Sequence, residues 1–320
     1  MFEALASNVT MQEIHVGGNN FGDVIAPYVV QFLANMDNTL RVFSIDHNGI
    51  TEKGMEDMAL TIGAHNHLEE IHFDGNPIGS EGAELLMNAV WNTKLNYISL
   101  SKCSISECGW ASVLVYMSCL ETLVLSCNDI DGAGLQDLCE GADRCCSIRH
   151  LDVSYNVFNG PQASAIGLLI KHHKGLVTLN LAGVPLSQEM VNNIQLGILG
   201  NPTLRVLDLS WCQMSLDLVK PLVVALAHNA LLDLKLDYNP ILPEIQEAPR
   251  SCIIYRNERR LVEKQWAEKK NKAVEANKVI EIILATSNIE TGMEDVSKLD
   301  FAFMNPLHAE AASAIWRKRR

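Results

Sequence analysis

The chain has 320 residues, a net charge of −13 and a composition that is 48% hydrophobic and 20% charged, so it can bury a substantial core as one large domain or two ordinary ones. It has no run of 18 apolar residues, and its opening residues lack the basic stretch and apolar core of a secretory signal, so neither a membrane helix nor export is expected. The nine cysteines are odd in number, scattered and free of any CxxC pair, which points to reduced thiols in a cytoplasmic setting.

The charge is unevenly spread. Residues 1–249 hold 11 Lys and Arg against 28 Asp and Glu, a net −17, whereas residues 250–320 hold 14 against 10, a net +4. The sign changes at a proline cluster, Pro240, Pro243 and Pro249, which sets the expected boundary between a first domain, residues 1–249, and a basic extension, residues 250–320.

A frame repeats from the start of the chain. In MQEIHVGGNNF, apolar residues hold the first, fourth and sixth places from Met11, with Asn19 at the ninth and Phe21 at the eleventh. The frame returns at Leu40, Leu68, Leu95, Leu120, Ile148, Leu176, Leu204 and Leu231, at spacings of 29, 28, 27, 25, 28, 28, 28 and 27. Apolar fourth and sixth places alternating with polar ones predict a short strand that buries one face. An inward-turned Asn at the ninth place can bond the backbone of the turn that follows. Cys103, Val184 and Cys212 stand there in three repeats and tolerate burial. The stretches after the turn, such as GSEGAELLMNAV, have helical spacing, so each unit reads as strand, turn, helix and return loop. One unit cannot bury its own apolar face, so units must stack into a curved parallel sheet inside an arc of helices. The 25-residue unit from Leu95 should have a helix cut to about two turns. FEALASN, before Met11, reads as the end of a helix whose own strand is missing, and a partner packing on that end is one expectation, truncation the other.

The LxxLxLxxNxI frame over residues 1–245 resembles the leucine-rich repeat family, in the subclass with 28–29-residue units seen in ribonuclease inhibitor. That resemblance implies an α/β solenoid and protein partners, without specifying which. Ran GTPase-activating proteins share the repeat, and the resemblance would require a catalytic Arg near the start of a helix in an early repeat. Pro27 and Glu84 stand at the comparable places, and no Arg occurs between Arg41 and Arg144, so that activity stays a remote alternative.

Other motifs dissolve into the repeat. Asn128, Asp129 and Asp131 suggest a calcium loop, but its later ligands are absent. Cys145-Cys146 suits core packing better than redox chemistry, and His172-His173 reads as a solvated return loop. No phosphate loop, nucleophile elbow or zinc spacing is present, so neither an enzyme nor a cofactor or metal site is expected.

The third, fifth and seventh places should line the concave face. They include Glu70, His72 and Asp74, then His150 and Asp152, then Asp208 and Asp233; across all nine repeats eight carboxylates face one lysine, Lys235. Tyr155, Trp211 and Tyr238 hold the eighth place of three late repeats and should form a rim. Protein binding there competes with a plain acidic, solvated lining; nucleic acid is disfavoured because such a surface repels phosphates.

Past Pro249 the sequence reads as one long helix, residues 250–288, its first apolar residues sealing the last repeat. About 35 residues at 1.5 Å each reach roughly 50 Å. Leu261, Trp266, Val274, Ile280 and Leu284 make a sparse apolar stripe among Arg259, Arg260, Lys269 and Lys270. Phe301, Phe303 and Trp316 follow. Such a tail should fold back or dock on a partner, with raised salt or reversal of the four cations weakening it. The expected function is a non-catalytic protein-binding scaffold within a larger assembly, cytoskeletal or ciliary assemblies among the candidates. A freestanding regulator capturing a ligand on the acidic face is the alternative.

Overall fold

The computed structural model describes residues 2–5, 8, 10–35, 39–226 and 229–286. Each repeat contributes one three-residue strand: β1 (Glu13–His15), β2 (Val42–Ser44), β3 (Glu70–His72), β4 (Tyr97–Ser99), β5 (Thr122–Val124), β6 (His150–Asp152), β7 (Thr178–Asn180), β8 (Val206–Asp208) and β9 (Asp233–Lys235). They pair in parallel, in chain order, as one nine-stranded sheet. The register is constant, so the fourth-place residues Ile14, Phe43, Ile71, Ile98, Leu123, Leu151, Leu179, Leu207 and Leu234 lie level across it. All nine are buried. Each contributes about 1.5–3 kcal/mol relative to an exposed side chain.

The opposite layer is helical: α1 (Phe2–Leu5), α2 (Ala26–Asn35), α3 (Glu52–Ala64), α4 (Gly79–Val90), α5 (Gly132–Arg144), α6 (Ala165–His172), α7 (Gln188–Gly200) and α8 (Leu216–Ala225). Side-chain oxygens of Thr51, Asp131 and Ser187 cap α3, α5 and α7. Asp23 adds an inter-repeat cap, accepting from the Thr51 amide and hydroxyl at 2.7 Å each. In α1, Phe2 is buried against Phe32 with ring centroids 5.2 Å apart. The 25-residue repeat has no α-helix between β4 and β5; an eight-residue 3-10 segment, Gly109–Tyr116, spans it, because three residues per turn and a longer rise cover the distance with fewer residues.

The ninth-place side chain links neighbouring repeats. Asn76 donates to the Phe73 carbonyl of its own repeat (2.8 Å) and to the Ile45 carbonyl of the preceding one (3.0 Å), while its oxygen accepts from the Asn48 and Ile50 amides. Asn128 does the same for Leu125, Leu100, Cys103 and Ile105. Cys103 keeps donor contacts alone, its thiol lying 3.4 Å from both the Phe73 carbonyl of the preceding repeat and the Ser101 carbonyl of its own, and the Ile78 amide turns instead to the Asn76 carbonyl at 2.7 Å. Cysteine thus preserves the donor half of the linkage and loses the acceptor half. Asn76→Ala should lower unfolding free energy by about 3 kcal/mol, because several buried backbone groups lose partners, and Asn76→Cys should cost less; urea midpoints of the two variants test that order.

A second set of side-chain bonds lies in the return loops, three residues before the frames that start at Met11, Leu176 and Leu204. Asn8 accepts from the Thr10 and Met11 amides and Asn201 from those of Thr203 and Leu204. Asn201 also donates to the Ile170 and His173 carbonyls. His173 occupies the same place one repeat earlier, and this corrects its reading as solvated. The ring is buried; Nδ1 accepts from the Gly175 and Leu176 amides at 3.0 and 2.9 Å, and Nε2 lies 3.1 Å from the Cys145 carbonyl. Two amides on Nδ1 fix the neutral tautomer with hydrogen on Nε2. Burial, the largest influence, pushes His173 below the ordinary histidine pKa. The folded state therefore binds the proton less readily than the unfolded chain, and stability is complete above about 6.5 and falls as pH drops toward the folded pKa. His173→Asn, copying Asn201, should flatten the loss of stability between pH 7 and pH 5, measured as urea midpoints. An unchanged slope would show that the acid sensitivity arises elsewhere.

The chain divides into two compact units, Met1–Ile254 and Tyr255–Arg320. The last helix, α9 (Pro243–Thr286), starts before the expected position and carries Pro249 at its seventh residue, past the first turn, so it forgoes one intrahelical bond there. Ile253 joins the core of the first unit, whereas Ile254 is exposed.

A candidate protein-binding face and its rim

Strand alternation places the third- and fifth-place residues on the face opposite the helices. Much of the expected acidic lining already has work within the fold. Asp46 accepts from the Ser44 hydroxyl and, at 2.9 Å, from the Asp74 amide of the next repeat. Asp74 accepts from the Ser99 hydroxyl and the Ser101 amide, both at 2.6 Å. Asp152 accepts from the Ser154 amide and hydroxyl and, through its other oxygen, from Asn180. Asp208 accepts from the Ser210 amide and stands 3.3 Å from the Lys235 ammonium. Ser44, Ser99, Ser154 and Ser210 are buried, so these four aspartates knit the strand ends together rather than standing free.

What remains open falls at four places, the first in β1, where Glu13 and His15 are exposed 3.8 Å apart. In β3, Glu70 lies 3.6 Å from His72, whose ring packs on Tyr97 with centroids 4.8 Å apart. Burial first, and then the nearby Asp74 charge, pushes the Tyr97 phenol above its ordinary pKa, keeping it a neutral donor. His150 is exposed at the centre of the sheet. In the last repeat Asp233 and Asp237 are exposed beside Lys235.

The eighth place has a property that sequence reasoning missed. In all nine repeats it adopts a left-handed backbone, at Gly18, His47, Gly75, Lys102, Cys127, Tyr155, Gly183, Trp211 and Tyr238. A non-glycine residue there costs about 1–2 kcal/mol. Glycine is doubly required at Gly183, where a Cβ would collide with the Tyr155 ring, and at Gly75, where it would meet His47. Trp211 and Tyr238 stack, centroids 4.4 Å apart and 17° between planes, yet remain 51% and 69% exposed. Tyr155, 49% exposed, continues the row across Gly183. Three large aromatic rings therefore occupy a strained position and still face solvent.

On α9, Trp266 is 60% exposed and Arg259 pairs with Glu263 at 2.9 Å. Arg260 is exposed. Lys269 and Lys270 lie on the same helix, with side chains outside the described residues, as are Phe301, Phe303 and Trp316. Among the described residues, the open large apolar side chains of this helix are Ile254, Tyr255, Leu261, Val262 and Trp266. Of these, Tyr255, Val262 and Trp266 recur at seven and four residues and share a face; Leu261 does not.

A family model described as Leucine Rich repeat matches residues 64–87, 116–139, 144–167 and 200–217. The chain is 26% identical over 249 residues to the ribonuclease inhibitor of Mus musculus, covering 75% of this chain and 55% of that protein. It is 29% identical over 154 residues to the ribonuclease inhibitor of Sus scrofa, covering 46% and 34%. The repeat model and these relatives support a leucine-rich-repeat protein of the ribonuclease-inhibitor-like subclass. The chain spans about half the length of the mouse relative and a third of the pig one. The human NACHT, LRR and PYD domains-containing protein 5 matches at 24% identity over 250 residues, 76% of this chain and 21% of that protein. The leucine-rich repeats thus account for the sheet, the ladder of asparagines and the interchange of Asn with Cys. Among the described residues no helix is long and apolar enough to cross a membrane.

If the rim aromatics serve the fold, removing them should destabilise it; if they serve a ligand, it should not. Trp211→Gly relieves the left-handed strain and loses only a half-exposed stack, so unfolding free energy should change by less than about 1 kcal/mol. Chemical denaturation measures it, and a loss of several times that would assign Trp211 to the core.

Proposed function

We propose that this leucine-rich-repeat protein is a non-catalytic protein-binding scaffold that serves as a fixed subunit of a larger, cytoplasmic assembly. Residues 1–249 form its recognition domain and residues 250–320 a separate docking element. The single observation that carries the reading is the stacked Trp211–Tyr238 pair, exposed in a backbone conformation where glycine is cheaper, beside the open carboxylates Asp233 and Asp237. Exposed aromatics flanked by charge are what protein interfaces use as anchors. Glu70, His72, His150 and Tyr155 extend the surface, whereas Asp74, Asp152 and Asp208 shape it from within. Arg259, Arg260, Trp266, Lys269, Lys270, Phe301, Phe303 and Trp316 belong to the second element. A partner packing at the N-terminal end of the sheet, and a cytoskeletal or ciliary setting, belong to the same reading. The open carboxylates disfavour nucleic acid as the ligand.

A second reading, a freestanding regulator that captures one basic protein, is favoured by the acidic face and by relatives named as inhibitors of ribonuclease. One experiment separates them: purification of the tagged full chain from its own cells, with and without Trp211→Ala plus Tyr238→Ala. The scaffold reading expects a stable set of several proteins, depleted by the double variant at unchanged thermal midpoint. A single soluble one-to-one complex favours the regulator, and a chain that purifies alone overturns both.

A further inference from the structure

On the far side of the repeats from the rim, two thiols stand apart from the rest. Cys103, Cys108, Cys139, Cys145 and Cys212 are buried and Cys127 and Cys252 half-buried, whereas Cys119 and Cys146 are exposed. Burial pushes the thiols of Cys103, Cys108 and Cys212 up to about 12, and that of Cys139 upward as well, leaving them inert near neutral pH.

The exposed pair sits in equivalent return loops of adjacent repeats. The Met117 and Cys145 amides close their turns in the same way, onto the Leu114 and Ala142 carbonyls at 3.0 Å each. The loops touch: the Ser147 hydroxyl donates to the Met117 carbonyl at 2.9 Å, and the Cys145 thiol lies 3.6 Å from the same oxygen. Register is fixed just beyond, by the Arg149 amide on the Glu121 carbonyl at 2.8 Å and by Thr122 opposite His150. Counting back, Ser147 stands opposite Cys119 and Cys146 opposite Ser118. The two cysteines are diagonal neighbours, offset by one residue on segments roughly 5 Å apart, which gives a Cα separation of about 6 Å, within disulfide range. Cys145, adjacent in sequence, is the poorer partner because its sulfur is buried against the Met117 carbonyl.

We propose that Cys119 and Cys146 are a peroxide-oxidisable pair that closes an inter-repeat disulfide. The thiolate of one cysteine attacks hydrogen peroxide, breaking the O–O bond to give a sulfenic acid and, after protonation of the departing hydroxide, one water. The second sulfur then attacks the sulfenic sulfur; the S–S bond forms, the S–O bond breaks, and the oxygen leaves as a second water with the remaining thiol proton. Two thiols lose two electrons and one peroxide gains them. The location gives the step a consequence. The disulfide ties the exit of the 3-10 segment Gly109–Tyr116, where the shortened repeat has no α-helix, to the repeat that carries α5. Oxidation thus clamps the unit whose outer layer is shortest. The inference is independent of the rim and of any partner.

The test uses the full reduced chain and hydrogen peroxide. Native-state maleimide labelling should find two fast thiols before treatment and none after, and peptide mapping should find a Cys119–Cys146 link. Cys119→Ser and Cys146→Ser should each leave one fast thiol and no link, at unchanged circular dichroism. Hydrogen exchange of the 109–116 amides should slow in the oxidised chain and recover on reduction with dithiothreitol. A Cys145–Cys146 bond, a disulfide between chains, or separate sulfinic acids would overturn the pairing; unchanged exchange at 109–116 would overturn the clamp.

Discussion

The fold depends on a side chain that completes the backbone of its neighbour. A three-residue strand offers too few ladder bonds to hold a repeat, and the turn that leaves it exposes amides and carbonyls to an apolar interior. The ninth-place Asn resolves both problems, donating to carbonyls of two repeats and accepting from amides of the one before. Because the groups it satisfies belong to the preceding unit, no repeat is complete without the next. That explains the constant register across nine strands and the tolerance of the frame for Cys, which keeps the backward donor bond. Val184 keeps neither, and its buried place is held by packing between repeats that retain their own links.

The parts legible in the sequence were those that recur with a period. The strand positions, the inward Asn and the curtailed outer segment after Leu95 could all be read from spacing. The return-loop set was not, because its residues differ chemically: Asn8, Cys145, His173 and Asn201 share a position and not a residue type. Only the folded chain shows the imidazole of His173 doing for the Gly175 and Leu176 amides what the Asn201 amide oxygen does for Thr203 and Leu204. A buried neutral ring in a loop flanked by Lys171 and Lys174 is hidden from any argument based on local polarity.

The acidic face shows the same limit from the other side. Alternation correctly assigned Asp74, Asp152 and Asp208 to the strand face, but it could not see that serines two residues along, or one repeat on, consume their lone pairs. Burying a serine hydroxyl beside a strand end requires an acceptor, and a short carboxylate on the same face is within reach. The face is therefore less charged in its chemistry than in its formal count, and its free carboxylates lie toward the two ends.

That redistribution bears on recognition. A uniformly acidic groove would attract any cation without register, since unscreened charge carries little shape. Here the middle strands, with Ser99, Thr122, Val124 and Thr178, are nearly neutral, and the open charges adjoin rings: Glu70 with His72 and Tyr97 at one end, Asp233 and Asp237 with Trp211 and Tyr238 at the other. A ligand that satisfies both ends must span the intervening strands, about five steps of roughly 4.8 Å each along the sheet. A small cation cannot do this, and a folded protein surface can. The strain held at Trp211 and Tyr238 fits that requirement, because a left-handed backbone at the eighth place turns the ring off the strand and onto the rim, where glycine in the same conformation would present nothing.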